Sequence, residues 1–167
     1  MPLIKQGEVA HDIWTVLADD APLDRAKPSV VSLQRWLKDH NALLASGARL
    51  GIRLKSGESP AQIADQLDKF DLVQLEFPAF TNGRAFSYAR LLRDRFGYKG
   101  EVRAVGQVLR DQFMFLDRCG FDAVEVARPE DAAAWAAELA EMKYVYQPAS
   151  DRRPWVNALR QGGKVAG

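Results

Sequence analysis

The residues whose types and spacing suit chemistry gather in two stretches, LEFPAFTNGRAFSYAR at 75–90 and RAVGQVLRDQ at 103–112. In the first, Glu76 ends an apolar run, Pro78 fixes the exit, and Asn82-Gly83 turns the chain into helical sequence beginning near Arg84. A carboxylate, an amide and a guanidinium thus meet at a strand end and a helix N-terminus, where unpaired backbone N–H groups favour anions. This pattern suits a carboxylate or oxyanion site; the plainer reading is a turn with Asn82 as the helix cap. In the second stretch Gly106 allows a close strand-to-helix turn. Gln112 then falls within the apolar stripe Val108, Leu109, Phe113, Leu116, Cys119. A buried amide without partners costs about 1–3 kcal/mol, so Gln112 is expected to bond either a ligand or a loop carbonyl. Arg84, Arg90, Arg103 and Arg110 supply cations for an anion or an acidic partner surface, unless they are simply solvated.

The elements that must position these residues are readable from period and punctuation. From Arg49 onward short β-rich runs alternate with helical stretches, the mark of βα units. Strands are predicted at Leu50–Leu54, Leu72–Leu75, Val102–Val105 and Ala123–Val126, with a very short one at Val30–Val31. A helix capped by Ser32 is predicted through about Ala45, carrying Leu33, Trp36, Leu37, His40 and Leu44 on one face, with Gly47 stopping it. Pro60 fits the first turn of a short helix with Ile63 and Leu67. A third helix runs from about Arg84 to Phe96 with Ala85, Tyr88, Ala89, Leu92 and Phe96 inward. It leaves Phe86 off the stripe near Arg90, open to a partner or to the tail around Trp155. A fourth helix is predicted from about Gln107 to Cys119, ended by Gly120, and a fifth from Pro129 to about Met142.

These units define one α/β domain over 1–167. Residues 1–27 form an N-terminal β extension, a small ribbon including Leu3–Lys5 and Ile13–Leu17. Residues 28–147 are the βα core, and 148–167 a docking or flexible tail. Four to five βα units are too few for an eight-stranded barrel. The expected sheet is therefore mostly parallel and either open and doubly wound or half-barrel-like, with a homodimer as one way to cover exposed faces. In both arrangements ligands sit beyond the carboxyl ends of the strands.

Composition removes several function classes. The chain has 23 basic and 22 acidic residues mixed along its length, which argues against a nucleic-acid-binding domain. Cys119 is the only cysteine, so there is no disulfide framework or cysteine-based metal site, and it reads as an inert core thiol. His11 and His40 form no HxH or HExxH pattern, and no metal site is predicted. There is no GxGxxG, P-loop or GxSxG, nor a flavin, haem or iron–sulfur motif, so no cofactor is expected. No run of about 18 apolar residues occurs, and the expected location is cytoplasmic, without a membrane partner.

At residues 75–126 the wording LEFPAFTNGRAFSYARLLRDRFGYKGEVRAVGQVLRDQFMFLDRCGFDAVEV resembles a bacterial family of unknown function described as involved in sulfite reduction. The resemblance extends to LGIRL at 50–54 and YVYQP at 144–148. Members are typically encoded beside sulfite reductase and the reductase of activated sulfate, and the label "oxidoreductase" attached to them comes from that neighbourhood. The family pattern reads FPxFxDGRxYSxARLLR and later RAxGDVLxDQ. Phe77, Pro78, Phe80, Gly83, Arg84, Ser87, Ala89, Arg90, Gly106, Val108, Asp111 and Gln112 match it. Asn82 and Gln107 stand where the family has Asp, so a carboxylate acting there as general base or metal ligand would be missing from this chain.

The resemblance implies an accessory protein of assimilatory sulfite reduction, partnering sulfite reductase or another sulfate-assimilation enzyme, or binding a small anion. Two other classes fit the residues: a small enzyme acting on an anionic substrate at the strand ends, and a dimeric non-catalytic scaffold. Whether the chain is an enzyme is left open by the sequence. The residues nominated for ligand or partner binding are Glu76, Asn82, Arg84, Arg90, Arg103, Gln107, Arg110, Asp111 and Gln112.

Overall fold

A computed structural model describes residues 2–5, 7–126, 128, 130, 133, 137, 149 and 150. The fifth helix and the tail with Trp155 lie outside the described residues. Eight strands form one sheet in the order β2-β1-β8-β7-β6-β5-β4-β3. They are β1 Leu3–Lys5, β2 Glu8–Ala10, β3 Thr15–Val16, β4 Ser29–Ser32, β5 Leu50–Leu54, β6 Leu72–Phe77, β7 Glu101–Gly106 and β8 Ala123–Glu125. Strands β3 to β8 are parallel neighbours in chain order, whereas β1 and β2 are antiparallel additions beside β8.

Consecutive order decides between the two expected architectures. A doubly wound sheet reverses strand order at a switch point and carries helices on both faces. Here order never reverses, and right-handed crossovers then place the helices on one face, as in a length of barrel wall. The sheet is a curled half-barrel. One further constraint shows how strongly it curls: the edge strands β2 and β3 are joined by only four residues, His11–Trp14. Eight strands at about 4.8 Å spacing span about 34 Å when flat, but five extended residue steps reach only about 18 Å. The edges must therefore bend toward each other, and residues 11–14 cross the gap as a strap.

The N-terminal β ribbon expected within residues 1–27 is present as the antiparallel pair β1 and β2, with Glu8–Ala10 rather than Ile13–Leu17 as its second strand. β1 pairs along β8, with Ile4 opposite Val124, and β3 extends the other edge of the sheet. The predicted strand Ile13–Leu17 contracts to Thr15–Val16 because Ile13 belongs to the strap.

Alternation in the strands sorts side chains between two faces. Ile52, Leu54, Val73, Leu75, Phe77, Val102, Ala104 and Val124 are buried in the main core with Trp36, Leu92 and Leu116 from the helix layer. In helix α1, Leu33–Ala45, Ser32 Oγ accepts the Arg35 N–H at 3.0 Å, the cap read from the sequence. The predicted stripe holds for Leu33 and Trp36 but fails for Leu37 and Leu44, which are exposed, while Leu43 is buried. Asp39 is non-helical (φ −122°) and rotates the second half of the helix out of phase with the first. Pro60–Lys69 forms a 3-10 helix, with Gln66 accepting the Trp36 indole N–H at 2.6 Å. Helix α2, Arg84–Arg90, continues into a π-type turn at Leu91–Arg95, and α3 spans Phe113–Cys119 with Gly120 left-handed at its end.

Candidate functional site

The carboxyl ends of β5, β6 and β7 bring three loops together. At the end of β7, Gly106 has φ +96°, and a Cβ there would sit 2.4 Å from the Phe77 carbonyl oxygen, so only glycine fits beside β6. The Gln107 N–H donates to that same carbonyl at 2.8 Å. Residues 107–109 consequently turn rather than start a helix. Arg110–Gln112 is a single 3-10 turn, and α3 begins at Phe113, six residues later than predicted.

That delay moves Gln112 out of the apolar stripe to a half-buried position on the rim. Its Nε2 donates to the Phe80 carbonyl at 3.1 Å, and its Oε1 accepts the Leu109 N–H at 3.1 Å. Of its two expected partners the loop carbonyl is the one found, and Gln112 ties the loop after β7 to the loop after β6. Asn82 performs a similar task. Its Nδ2 donates to Ser56 Oγ at 3.3 Å and its Oδ1 accepts the Arg84 N–H at 3.2 Å, while the Tyr88 hydroxyl donates to the Ser56 carbonyl at 3.3 Å. The helix cap position itself falls on Gly83.

The remaining nominated residues are distributed around this clamp. Glu76 is half-buried near the end of β6, level with Val105. Arg84, Gln107, Arg110 and Asp111 are exposed on the rim, and Arg90 pairs with Asp94 at 3.5 Å. Phe86, expected to lie off the core, instead packs its ring 5.0 Å from Phe77 and 4.6 Å from Phe115. Helix α3 therefore supplies its cover. Phe80, Leu109 and Phe115 remain about half exposed, at 51%, 44% and 53%, so the rim is aromatic and apolar as well as cationic.

Arg103 belongs elsewhere. It points away from the helices, onto the concave face, and is 1% exposed. Burial works against its charge. The hydrogen bond to Asp12 and the carboxylate of Glu101 outweigh that, and the guanidinium is held above the ordinary arginine value. Nη1 donates to Asp12 Oδ2 at 2.8 Å, Nε to Glu101 Oε1 at 2.9 Å, and Glu125 lies 3.6 Å away. Gln74, fully buried at the matching register of β6, accepts from Arg53 Nε at 2.8 Å and reaches Glu125 at 3.4 Å. Lys5 completes the chain on Glu101 at 3.0 Å. Sequence reasoning missed this network, although a signal existed: Arg53, Gln74 and Arg103 are polar residues at paired positions of three neighbouring apolar strands.

Beneath the strap the network borders a cavity of about 360 Å³ that includes Lys5, Asp12, Trp14, Arg49, Glu101 and Arg103 in its lining. A second cluster, at the amino ends of β7 and β8, is structural. Arg93 donates to the carbonyls of Gly120, Tyr98 and Gly100 at 2.9, 2.7 and 2.9 Å and pairs with Asp122. Burial raises the Tyr98 phenol well above its usual value against the opposing charge of Arg93, and its hydroxyl donates to the Phe70 carbonyl at 2.9 Å. Cys119 is buried, as expected of a core thiol. Among the described residues no three His, Cys, Asp or Glu side chains cluster so as to hold a metal, and no helix is long and apolar enough to cross a membrane.

Fold and rim together define a half-barrel α/β protein whose carboxyl-end loops are clamped to one another by amides. The chain belongs to the family described as bacterial protein of unknown function (DUF934), which matches residues 51–156. The match begins at β5, so Gln112, Arg103 and the rim fall inside it, while the strap and Asp12 fall outside. No curated protein matches the chain.

Proposed function

We propose that this protein is an accessory factor of sulfite reduction that docks through its carboxyl-end rim onto an acidic surface of a sulfate-assimilation enzyme such as sulfite reductase. The observation that carries the docking mode is the rim's composition: exposed Phe80, Leu109 and Phe115 lie beside exposed Arg84 and Arg110. Aromatic residues and arginine are the side chains most enriched at the centres of protein interfaces. The link to sulfite reduction rests on the resemblance of residues 75–126. The enzyme reading is less favoured, because the Asn82 and Gln112 amides are engaged in closing loops rather than pointed at a shared reacting position.

The test is binding of the purified protein to the sulfite reductase of the same organism, for wild type, Arg84→Ala and the double variant Phe80→Ser/Phe115→Ser. Phe80 and Arg84 are exposed, whereas Phe115 also covers Phe86, so the melting temperature of each variant is measured beside its binding, with Phe80→Ser alone as the variant that leaves that ring contact intact. The proposal expects measurable wild-type binding, weakened at least tenfold by the double variant and made less salt-sensitive by Arg84→Ala. Absence of binding, or equal binding by wild type and every variant, overturns it.

A further inference from the structure

The cavity under the strap carries charges of both signs that the docking proposal leaves unused. Lys5, Arg49 and Arg103 contribute three cations to its lining, and Asp12, Asp71 and Glu101 three carboxylates. They divide into two tiers. The inner tier is rigid: Arg103 is 1% exposed and fixed by Asp12 and Glu101. The outer tier sits at the mouth. Arg49 and Asp71 pair at 2.8 Å with side chains 58% and 53% exposed, and Lys5, 46% exposed, pairs with Glu101.

Exposed pairs contribute little stability, so a ligand can exchange with them cheaply, whereas the buried pair resists displacement. A simple anion entering this space meets three carboxylates, and a simple cation meets three positive groups. A ligand carrying one charge of each sign meets neither penalty, since its carboxylate takes Arg49 and Lys5 while its ammonium takes Asp71 and the Glu101 Oε2 that Lys5 releases, with Glu101 Oε1 remaining on Arg103. The walls suit the rest of such a molecule: Leu3, Ala10 and Ile13 are apolar, and the Trp14 ring is 5.4 Å from the Arg49 guanidinium carbon. The volume of about 360 Å³ lies at the small end of ligand pockets.

We propose that this cavity is a binding site for a small zwitterion of the α-amino acid class, with the strap His11–Trp14 as its outer wall. The site is independent of the docking rim, which lies at the other end of the strands.

Binding is tested by adding each of the twenty protein amino acids to the full chain and following the Trp14 indole N–H by NMR together with the melting temperature. For the best responder, its deaminated acid and its decarboxylated amine are measured as single-charge controls, and Arg49→Gln as a variant outside the buried network. The expected result is a saturable shift of the Trp14 signal with a rise in melting temperature for at least one amino acid. Both controls and Arg49→Gln should bind at least tenfold more weakly. No response of Trp14 to any amino acid up to about 10 mM, a range that covers weak ligands, overturns the proposal. So does equal binding of a single-charge control or undiminished binding by Arg49→Gln.

Discussion

Replacing Arg103 by Met should destabilise the protein far more than replacing Asp12 by Ala, although the two side chains share one hydrogen bond. Arg103→Met removes the cation that Asp12, Glu101 and Glu125 all approach, at 2.8, 2.9 and 3.6 Å. Three carboxylates are then left close together on the concave face, with Lys5 the nearest compensation for Glu101. Breaking a buried pair by deleting one member costs about 3–5 kcal/mol, and the crowding of like charges places this case at the upper end. Asp12→Ala leaves Arg103 compensated by Glu101 and Glu125. It removes one charge-assisted hydrogen bond, worth about 1.5–3 kcal/mol, and a contact to the Trp14 N–H that water can replace. Urea unfolding with a common slope measures both. If Arg103→Met costs no more than the ±0.5 kcal/mol of an ordinary surface change, or less than Asp12→Ala, the network is solvated and the buried-cation account fails.

Three more outcomes follow from single contacts. Gly106→Ala should cost about 2–4 kcal/mol in thermal or urea unfolding, because a Cβ at φ +96° meets the Phe77 oxygen at 2.4 Å and separates β6 from β7. Gln112→Ala should cost only about 1 kcal/mol, since water replaces its half-buried bonds. It should nonetheless speed hydrogen exchange of the Leu109 N–H markedly, and unchanged exchange would mean the amide clamp is idle. Tyr98 predicts an alkaline weakening. Burial holds its folded pKa above the unfolded value of about 10, so the unfolded chain loses that proton first. Its contribution is intact below about pH 10 and falls above it, by at most about 1.4 kcal/mol per pH unit. Tyr98→Phe should flatten the curve there, and an equally steep fall in that variant would assign the effect to other groups.

The legible parts of the sequence were those governed by local rules. The strand cores, the Ser32 cap and the glycine stops after α1 and α3 each depend on a few adjacent residues, and each sits where period and punctuation put it. Two misreadings share another cause, a contact distant in sequence, and a third is a break within one helix. Residues 107–109 carry helical period, but Gly106 packed against Phe77 turns them aside, and Gln112 moves from stripe to rim. Asp39 breaks the phase of α1, so Leu43 rather than Leu44 meets the core. The N-terminal strands are too short to declare a place in the sheet, and their position depends on β8, more than a hundred residues away. Of the nominated residues, Glu76, Asn82, Arg84, Gln107, Arg110, Asp111 and Gln112 lie at or just beyond the carboxyl ends of β6 and β7. Arg103 was grouped with the rim arginines because strand alternation alone does not say that the face opposite the helices would be enclosed.

That enclosure explains why the concave face carries the residues it does. A closed eight-stranded barrel fills its interior with layers of branched aliphatic side chains. In this sheet β2 and β3 do not pair, and a four-residue strap bridges the gap between them. The interior therefore keeps a cavity of about 360 Å³ beneath the strap. Aliphatic side chains from one wall would find no opposing layer, whereas Arg103 is long enough to reach Asp12 in the strap, and Arg53, Gln74 and Lys5 find polar partners along the wall itself. The polar network is thus a consequence of an open barrel, and the strap is its condition. Lengthening residues 11–14 by a few glycines should let the edges part, expose Arg103 and cost about what Asp12→Ala costs, because both changes release the same hydrogen bond from the strap. Near-zero cost from the insertion, with Asp12→Ala costly, would show that the curl is set by the sheet alone and that the strap merely follows it.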